Sequence, residues 1–273
     1  MAHAAKPGHG DPEREPAPRV RLGALDLEAH LRDPARKQAF VTPMFDVIAP
    51  KYDAFTRWFS FGMDAVWKRS AIHAASRPLG EGAAVQRALD LAAGTGDLAI
   101  GIARALPSAR VTAIDASARM IEAANARLLS TAGDVPSRIT TMVGDMTSTG
   151  LPDASMDVIT AGYGLRNVPD ATQAIAEMRR VLRRDGRLVL LDFYRPESQV
   201  WRALFLGYLQ LAGNAVGWLW HRDPVVYGYI ARSIEHFMSW QAMSALLTQH
   251  GFRVVHVERH LLGGVALHEA IAD

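Results

Sequence analysis

Beyond position 85 the chain alternates two patterns. Short apolar runs fill 85–91, 110–114, 138–143, 156–161 and 187–193. Between them lie segments with apolar positions recurring every three to four residues, at 96–106, at 118–130 and from Pro169 to 183. The first pattern predicts strands and the second amphipathic helices. Turn chemistry punctuates both. Pro107 lies just past one helix, Ser117 is placed to cap the next, and Arg184-Asp185-Gly186 stops the third. Strands and helices alternating roughly every 25 residues predict βαβ units and a parallel sheet. Right-handed crossovers then bring the C-terminal ends of these strands to one edge. After Arg195-Pro196 the pattern gives helices at 199–220, 227–236 and 240–250, then strands at 252–259 and 264–270.

The N-terminal part reads differently. Residues 1–20 are rich in Pro, Gly, Ala and charge without periodicity, which predicts a disordered tail. Positions 22–31 suit a short amphipathic turn or helix. Thr42 followed by Pro43 predicts a helix start, Pro50 its end, and 65–76 a further helix. Seven aromatics, Phe45, Tyr52, Phe55, Trp58, Phe59, Phe61 and Trp67, suit a helical lid with most rings packed inward. Tyr52 and Asp53 follow the proline break and are candidates for facing a site. The predicted organisation is a tail (1–20) and one domain (21–273). That domain divides into a lid (21–80), a nucleotide-binding core (81–195), substrate-side helices (196–250) and C-terminal strands (251–273).

The chemistry gathers at the predicted strand ends. Ala88-Leu-Asp90-Leu-Ala-Ala-Gly94-Thr95-Gly96-Asp97 is an apolar strand carrying one acid, then a glycine turn, then a helix start. Such turns let a ligand approach the backbone, and the helix start offers unpaired N–H groups. Gly94 to Ala99 fits the dinucleotide fingerprint, with Asp115 as its ribose acid. The same residues fit an S-adenosylmethionine (SAM) site. There Asp90 suits the ammonium of the ligand, whereas it would repel a pyrophosphate. A plain glycine turn is the third reading. Asp115-Ala116 ends the second strand, where the acid can accept from both ribose hydroxyls in either nucleotide. Asp145-Met146 follows the third strand, placed for an adenine amine and ring. Asp90, Asp115 and Asp145 together with Gly94, Thr95 and Gly96 favour SAM.

Composition narrows the classes further. Apolar residues make up 49% of the 273 and charged residues 21%, ordinary for a globular protein. A net charge of +2 without a clustered basic face argues against nucleic acid as a partner. With no cysteine there is no disulfide, thiol nucleophile or Cys-ligated metal. His256 and His260 share a strand pattern, so no metal is expected. The start lacks an apolar signal core, which predicts a cytoplasmic protein. The most apolar window, 200–220, carries Arg202, Gln210, Asn214 and three glycines, so a membrane span is not expected. Trp201, Phe205, Leu206, Leu209, Leu211, Trp218 and Trp220 suit three uses. They can line a groove for an apolar tail, rest on the inner face of a membrane, or form a homodimer face.

Several segments now align with one family. The glycine loop, Gly162-Tyr-Gly-Leu-Arg166-Asn167-Val, Arg179-Arg-Val-Leu-Arg-Arg-Asp-Gly186-Arg-Leu, Phe45-Asp-Val-Ile-Ala-Pro-Lys-Tyr52-Asp, Tyr227-Gly-Tyr-Ile-Ala-Arg-Ser-Ile and Gly264-Val-Ala-Leu-His268 resemble class I SAM methyltransferases. More narrowly they resemble the quinone C-methyltransferases of ubiquinone and menaquinone biosynthesis, from about Phe40 onward. The resemblance implies an α/β, Rossmann-like seven-stranded sheet with helices on both faces and an antiparallel last strand. It implies SAM held by Thr95, Asp115 and Asp145-Met146, with Gly162 beside them and Tyr52 at the cover. The substrate implied is a lipid quinol methylated on a ring carbon, with Arg166 and Asn167 near it. Arginine is a poor base, so Arg166 is expected to stabilise a phenolate. His221, Asp223 and His268 are weaker candidates for taking the phenolic proton. Gly162 stands where many relatives carry serine, and Ala93 where glycine or threonine is common. A methyltransferase for a sterol or another phenol would share the cofactor site. An NAD(P) reductase lacks its Tyr-x-x-x-Lys pair here, and a non-catalytic SAM binder would keep the acids.

Overall fold

A computed structural model describes residues 34–49, 52–80, 83–221 and 225–273. The readings for 1–20 and 22–31 lie outside these residues. In chain order the helices α1 (Pro34–Ile48), α2 (Tyr52–Phe59) and α3 (Met63–Ser76) precede strand β1 (Arg87–Leu91). Then follow α4 (Asp97–Ala105), β2 (Arg110–Asp115), α5 (Ala118–Leu129), β3 (Ile139–Val143), β4 (Met156–Gly162), α6 (Ala171–Val181) and β5 (Leu182–Phe193). The chain ends with α7 (Gln199–His221), α8 (Val225–Glu235), α9 (Trp240–Gln249), β6 (Phe252–His260) and β7 (Val265–Ala272).

The strands form one seven-stranded sheet in the order β3-β2-β1-β4-β5-β7-β6. β1 to β5 pair in parallel, and β7 runs antiparallel to both β5 and β6. The seven strands and the reversed last strand are as expected. Period-2 alternation in β1 divides the core. Ala88 packs on one face with α3, α4 and Val158, while Leu89 and Leu91 pack on the other with α6, α9 and Ile159. Fully burying one such Leu or Ile contributes about 1.5–3 kcal/mol. A third cluster joins α1, α7 and α8 through Met44, Phe205, Leu209 and Tyr229. It seals the helical cover over the C-terminal edge of the sheet.

Two boundaries differ from the sequence reading. Thr42-Pro43 does not start a helix: α1 begins at Pro34 and Pro43 lies inside it. Proline there forfeits one helical hydrogen bond and costs about 3 kcal/mol. Val41, Met44 and Ile48 continue one buried stripe across it, and three buried side chains at about 1.5–3 kcal/mol each outweigh that loss. The third helix of the alternating region ends at Val181, not Arg183. Leu182 already pairs with Met156, and the chain bulges before Arg187 pairs with Val158. Arg183 Nε donates to Asp157 Oδ1 of β4 at 2.6 Å beside this bulge.

Helix α3 packs on the sheet against α4 through Trp67, Ala71 and Ala75, and its Asp64 and Trp67 also line a cavity beneath α1 and α2. Of the aromatics expected to pack inward, Trp67 is buried, but Phe61 is 77% exposed and Trp58 also faces solvent. The α2–α3 turn, where Phe61 takes φ 51° and Gly62 φ 77°, turns Phe61 outward.

Candidate active site

The turn after β1 is left-handed at three positions: Ala92 (φ 51°), Gly94 (φ 55°) and Gly96 (φ 85°). Left-handed backbone favours glycine, so the Gly-x-Gly spacing is a steric requirement here. Gly96 caps α4 without a side-chain bond and lines none of the cavities described below. Its part is to make the turn. The Gly94 N–H donates to Asp115 Oδ2 at 2.8 Å, and the Ser117 N–H to Oδ1 at 2.9 Å. Burial pushes the Asp115 carboxyl up, and these two donors oppose it. A carboxylate offers about four acceptor sites, so two remain for a diol.

Beside the turn opens a cavity lined by Tyr52, Gly94, Asp115, Ala116, Asp145, Met146, Gly162 and Asn167, with Val41, Phe45 and Met120. Eight of the predicted site residues therefore meet in one place. Asp145 stands at the rim, with one oxygen 2.8 Å from the Thr147 N–H, and Met146 is buried beneath. A Cβ at Gly162 would come within 2.8 Å of Leu98 Cδ1, so Leu98 fills the space a serine would need. A Cβ at Gly164 would meet the Ala92 Cβ at 2.2 Å, so the β4 turn can lie against the β1 turn only as glycine.

Asp90 and Thr95 belong to an adjoining cavity, shared with Lys68 and Asp97. Asp90 is buried. Its Oδ1 accepts from the Thr160 hydroxyl at 2.7 Å, and its Oδ2 has no partner among the described residues. Burial pushes its carboxyl up to about 7 against the pull of Thr160. An orphaned carboxylate oxygen beside a ligand turn fits an ammonium group and disfavours a pyrophosphate. The Asp90–Asp115–Asp145 series thus fits SAM and not a dinucleotide. Lys68, close by, is matched by Asp97 at 2.6 Å. Burial favours the neutral Asp97 acid, but Lys68 and Arg127 win and hold it below the usual carboxylate range.

The cover is tied to this turn by polar contacts that no sequence pattern announces. Thr95 Oγ1 donates to Asp53 Oδ1 at 2.7 Å, and Arg127 lies 3.2 Å from Asp53 Oδ2. Ser117 Oγ donates to Asp46 Oδ1 at 2.5 Å and also caps α5 by accepting from the Met120 N–H. Arg127 pairs with Asp97 as well.

A second cavity lies deeper under the cover. Tyr52, Phe45 and Tyr163 separate it from the first, and Met44, Asp64, Trp67, Arg166, Phe193 and Tyr229 complete its wall. Arg166 is here, buried, with NH1 2.6 Å from Asp192 Oδ1 and 2.8 Å from the Tyr163 carbonyl. Its charge is already matched by Asp192, and its Nε has no partner among the described residues. Asp192 was missed in the sequence, although an acid inside the buried run 187–193 is the same signal that singled out Asp90. Asn167 donates to the Tyr163 carbonyl at 3.0 Å and accepts from the Tyr229 hydroxyl at 3.1 Å. Two donors on one carbonyl hold Tyr163 at φ 59°, a left-handed geometry costly for a bulky residue.

His268 is not at the site. It lies in the core between β5 and α9, 3.0 Å from the Trp240 carbonyl, and burial lowers its pKa to about 4. Asp223 and the His221 side chain lie outside the described residues. His256 and His260 both stand in β6.

A third cavity adjoins the second through Ser60, Trp67 and Phe193. It is lined by Phe61, Met63, Trp201, Leu204, Phe205, Tyr208, Leu209 and Leu261. Trp201, Phe205 and Leu209 from the apolar window line it. Leu206 packs beside it, Leu211 and Trp218 face outward, and the Trp220 side chain lies outside the described residues.

Known proteins resemble this chain to different depths. A ubiquinone/menaquinone biosynthesis C-methyltransferase from Syntrophotalea carbinolica is 35% identical over 82% of this chain and 90% of its own. A demethylmenaquinone methyltransferase from Deinococcus radiodurans is 35% identical over 86% of this chain and 92% of its own. Among solved structures, geranyl diphosphate C-methyltransferase from Streptomyces coelicolor superimposes with a TM-score of 0.57 at 11% identity. That match covers 77% of this chain and 79% of the other and shows the shared fold. The model of the ubiE/COQ5 methyltransferase family matches residues 33–272, and the chain belongs to that family.

Proposed function

We propose that the protein is a SAM-dependent C-methyltransferase that methylates a ring carbon of a prenylated hydroquinone in respiratory quinone biosynthesis. The observation that carries this reading is the pair of cavities meeting at Tyr52 and Tyr163. One is walled by Asp115, Asp145 and the glycine turn, the other by aromatic rings around Arg166. Asp115 would hold the ribose hydroxyls, Asp145 and Met146 the adenine, and Asp90 the ammonium, with Thr95 in the turn. When bound, SAM supplies an electrophilic methyl group. The protein's task is then to orient an electron-rich ring and lower the cost of its phenolate. Arg166 suits the second task, because it stays charged at any working pH and its Nε carries no bond among the described residues. Asn167 bridges the Tyr163 carbonyl and Tyr229, and so holds the turn that presents Arg166.

The third cavity supports a tail on that ring. Its volume of about 220 Å³, against about 40 Å³ around Arg166, is bounded almost wholly by apolar side chains, and Leu204 at its mouth is 62% exposed. Val200, Leu204, Tyr208 and Leu211 continue an apolar stripe along the outside of α7. No helix among the described residues is long and apolar enough to cross a membrane. The stripe fits a peripheral contact at the inner membrane face, from which a lipid quinol would enter.

The decisive experiment supplies methyl-labelled SAM with short-chain demethylmenaquinol and a short-chain methoxy-benzoquinol, each reduced and oxidised. Label is expected in a reduced quinol and not in its oxidised form. Transfer to a sterol or simple phenol with none to either quinol would refute the reading. Co-sedimentation with liposomes that is lost in Leu204→Glu would support membrane contact, whereas a concentration-dependent dimer lost in the same variant would assign the stripe to a homodimer.

A further inference from the structure

A phenol becomes a strong carbon nucleophile when it sheds its O–H proton, and the cavity around Arg166 has few places to put it. Tyr52, Tyr163 and Tyr229 are kept protonated by burial, Thr56 and Ser60 are neutral alcohols, and Arg166 is a cation. Among the described residues lining that cavity, Asp64 is the one carboxylate. It stands in the first turn of α3 and is buried. Its Oδ1 accepts from the Ser60 hydroxyl at 3.0 Å, and its Oδ2 lies 3.3 Å from Lys68 Nζ. Lys68 is held more closely by Asp97, at 2.6 Å, so Asp64 is steadied by that ammonium without being consumed by it. Two of about four acceptor sites are engaged, which leaves room for a donor from the cavity.

We propose that Asp64 is the proton acceptor of the reaction, taking the O–H proton of a phenolic ring seated against Arg166. The assignment rests on the acceptor being a phenol or hydroquinol, as proposed above. The proton moves from the ring oxygen to the Asp64 carboxylate while Arg166 faces the oxygen left negative. The adjacent ring carbon forms its bond to the methyl group as the sulfonium–methyl bond breaks. Restoring the aromatic ring releases that carbon's C–H proton to water, and Asp64 returns its proton to the oxygen, so one proton leaves per methyl transferred. The groups facing Asp64 are Ser60 and Lys68 from its own segment, Asp97 of α4 through Lys68, Tyr52 of α2, Tyr163 and Arg166 of the β4 turn, and Tyr229 of α8. Lys37 of α1 is the other group to weigh. Burial and the neighbouring Arg166 lower it to about 8, but it does not line the cavity.

Asp64→Asn keeps the shape and removes the base. With reduced short-chain demethylmenaquinol, wild-type kcat should be flat above pH 7. The variant should be slower at pH 7 by about 10²–10⁴-fold. It should then gain close to tenfold per pH unit toward the phenol's own pKa, where solvent ionises the ring instead. Asp64→Glu should recover part of the rate, and Lys37→Met should keep the wild-type profile. A second readout needs no turnover. With S-adenosylhomocysteine present, the wild type should bind a short-chain naphthol about tenfold or more tightly than its O-methyl ether. Asp64→Leu, which offers no acceptor, should lose that preference while binding the ether unchanged. A loss of kcat equal at every pH, a retained preference for the naphthol, or the rising profile in Lys37→Met and not in Asp64→Asn would overturn the assignment. If the wild type methylates no quinol, the quinol reading fails, and the two naphthol affinities alone decide for or against Asp64.

Discussion

Cutting Asp192 back to alanine strikes the ion pair at the centre of the deeper cavity. Arg166 is 5% exposed and Asp192 1%. The carboxylate takes the guanidinium at 2.6 Å, the Arg166 N–H at 3.2 Å and the Phe193 N–H at 2.8 Å. Asp192→Ala would leave the buried guanidinium with the Tyr163 carbonyl at 2.8 Å and the Phe193 ring 5.3 Å away. A pair in solvent would be worth under about 1 kcal/mol. Breaking a buried one costs about 3–5 kcal/mol, because the remaining charge cannot regain water. Against a total stability of about 5–15 kcal/mol, that is a fifth or more of the whole. At about 2–4 °C per kcal/mol for a domain of this size, the Tm should fall by about 10 °C. The urea midpoint should fall with it at unchanged slope. Replacing both partners, Arg166→Met with Asp192→Leu, removes both buried charges and should regain most of the stability, yet it should transfer no methyl. Calorimetry and urea titration read the first outcome and a labelled-methyl assay the second. A loss under about 1 kcal/mol in Asp192→Ala, or a double variant as unstable as the single, would refute a desolvated pair.

Three further outcomes follow from the same geometry. The Asp90 carboxyl is raised to about 7 in the fold, against about 3.9 in the unfolded chain. Its contribution to stability is therefore intact below pH 4 and is lost as pH climbs to 7, on the order of 4 kcal/mol at most. Asp90→Asn should flatten that slope in cofactor-free protein while weakening SAM binding, and denaturation at pH 4, 6 and 8 with calorimetry of binding would show both or neither. Gly164→Ala forces a Cβ to 2.2 Å from that of Ala92 and should cost about 1–3 kcal/mol. Adding Ala92→Gly should restore stability, since it removes both the clash and the left-handed strain at Ala92; a double variant no better than the single would place the cost elsewhere. Asp53→Ala frees Thr95 and Arg127 from the cover. It should change stability by no more than about 1 kcal/mol but speed the release of S-adenosylhomocysteine several-fold in stopped flow. An unchanged release rate would mean these contacts do not latch the cover.

Much of the molecule was legible from short-range signals. The alternation in Ala88–Leu91 fixes which side chains meet α4 and which meet α6. Ser117 does cap α5, and Gly251 takes φ 77° just past the end of α9. The acids at 90, 115 and 145 stood out because a charge inside or just past an apolar run demands a reason, and the parallel sheet carries them to one edge. Position 192 bears the same signal and was passed over, since Arg166 was read without its partner. Where two local signals competed, the sequence misled. Pro43 after Thr42 resembles a helix start, yet the buried stripe Val41–Met44–Ile48 outweighs it and carries the helix through.

The chain by itself therefore determined the strands, most helix ends, the glycine turn and its family, because these follow from periodicity and turn sterics over a few neighbouring residues. Tertiary structure decided which charges meet. Arg166 finds Asp192, Lys68 finds Asp97, and Asp53 finds Thr95 across separations of 26 to 42 positions. Asp64 joins the same cavity wall as Arg166, which lies far along the chain on another element. No spacing rule encodes those meetings. They depend on how α1 to α3 pack over the strand ends, and a charge removed from water is worth its full cost only once that packing is complete.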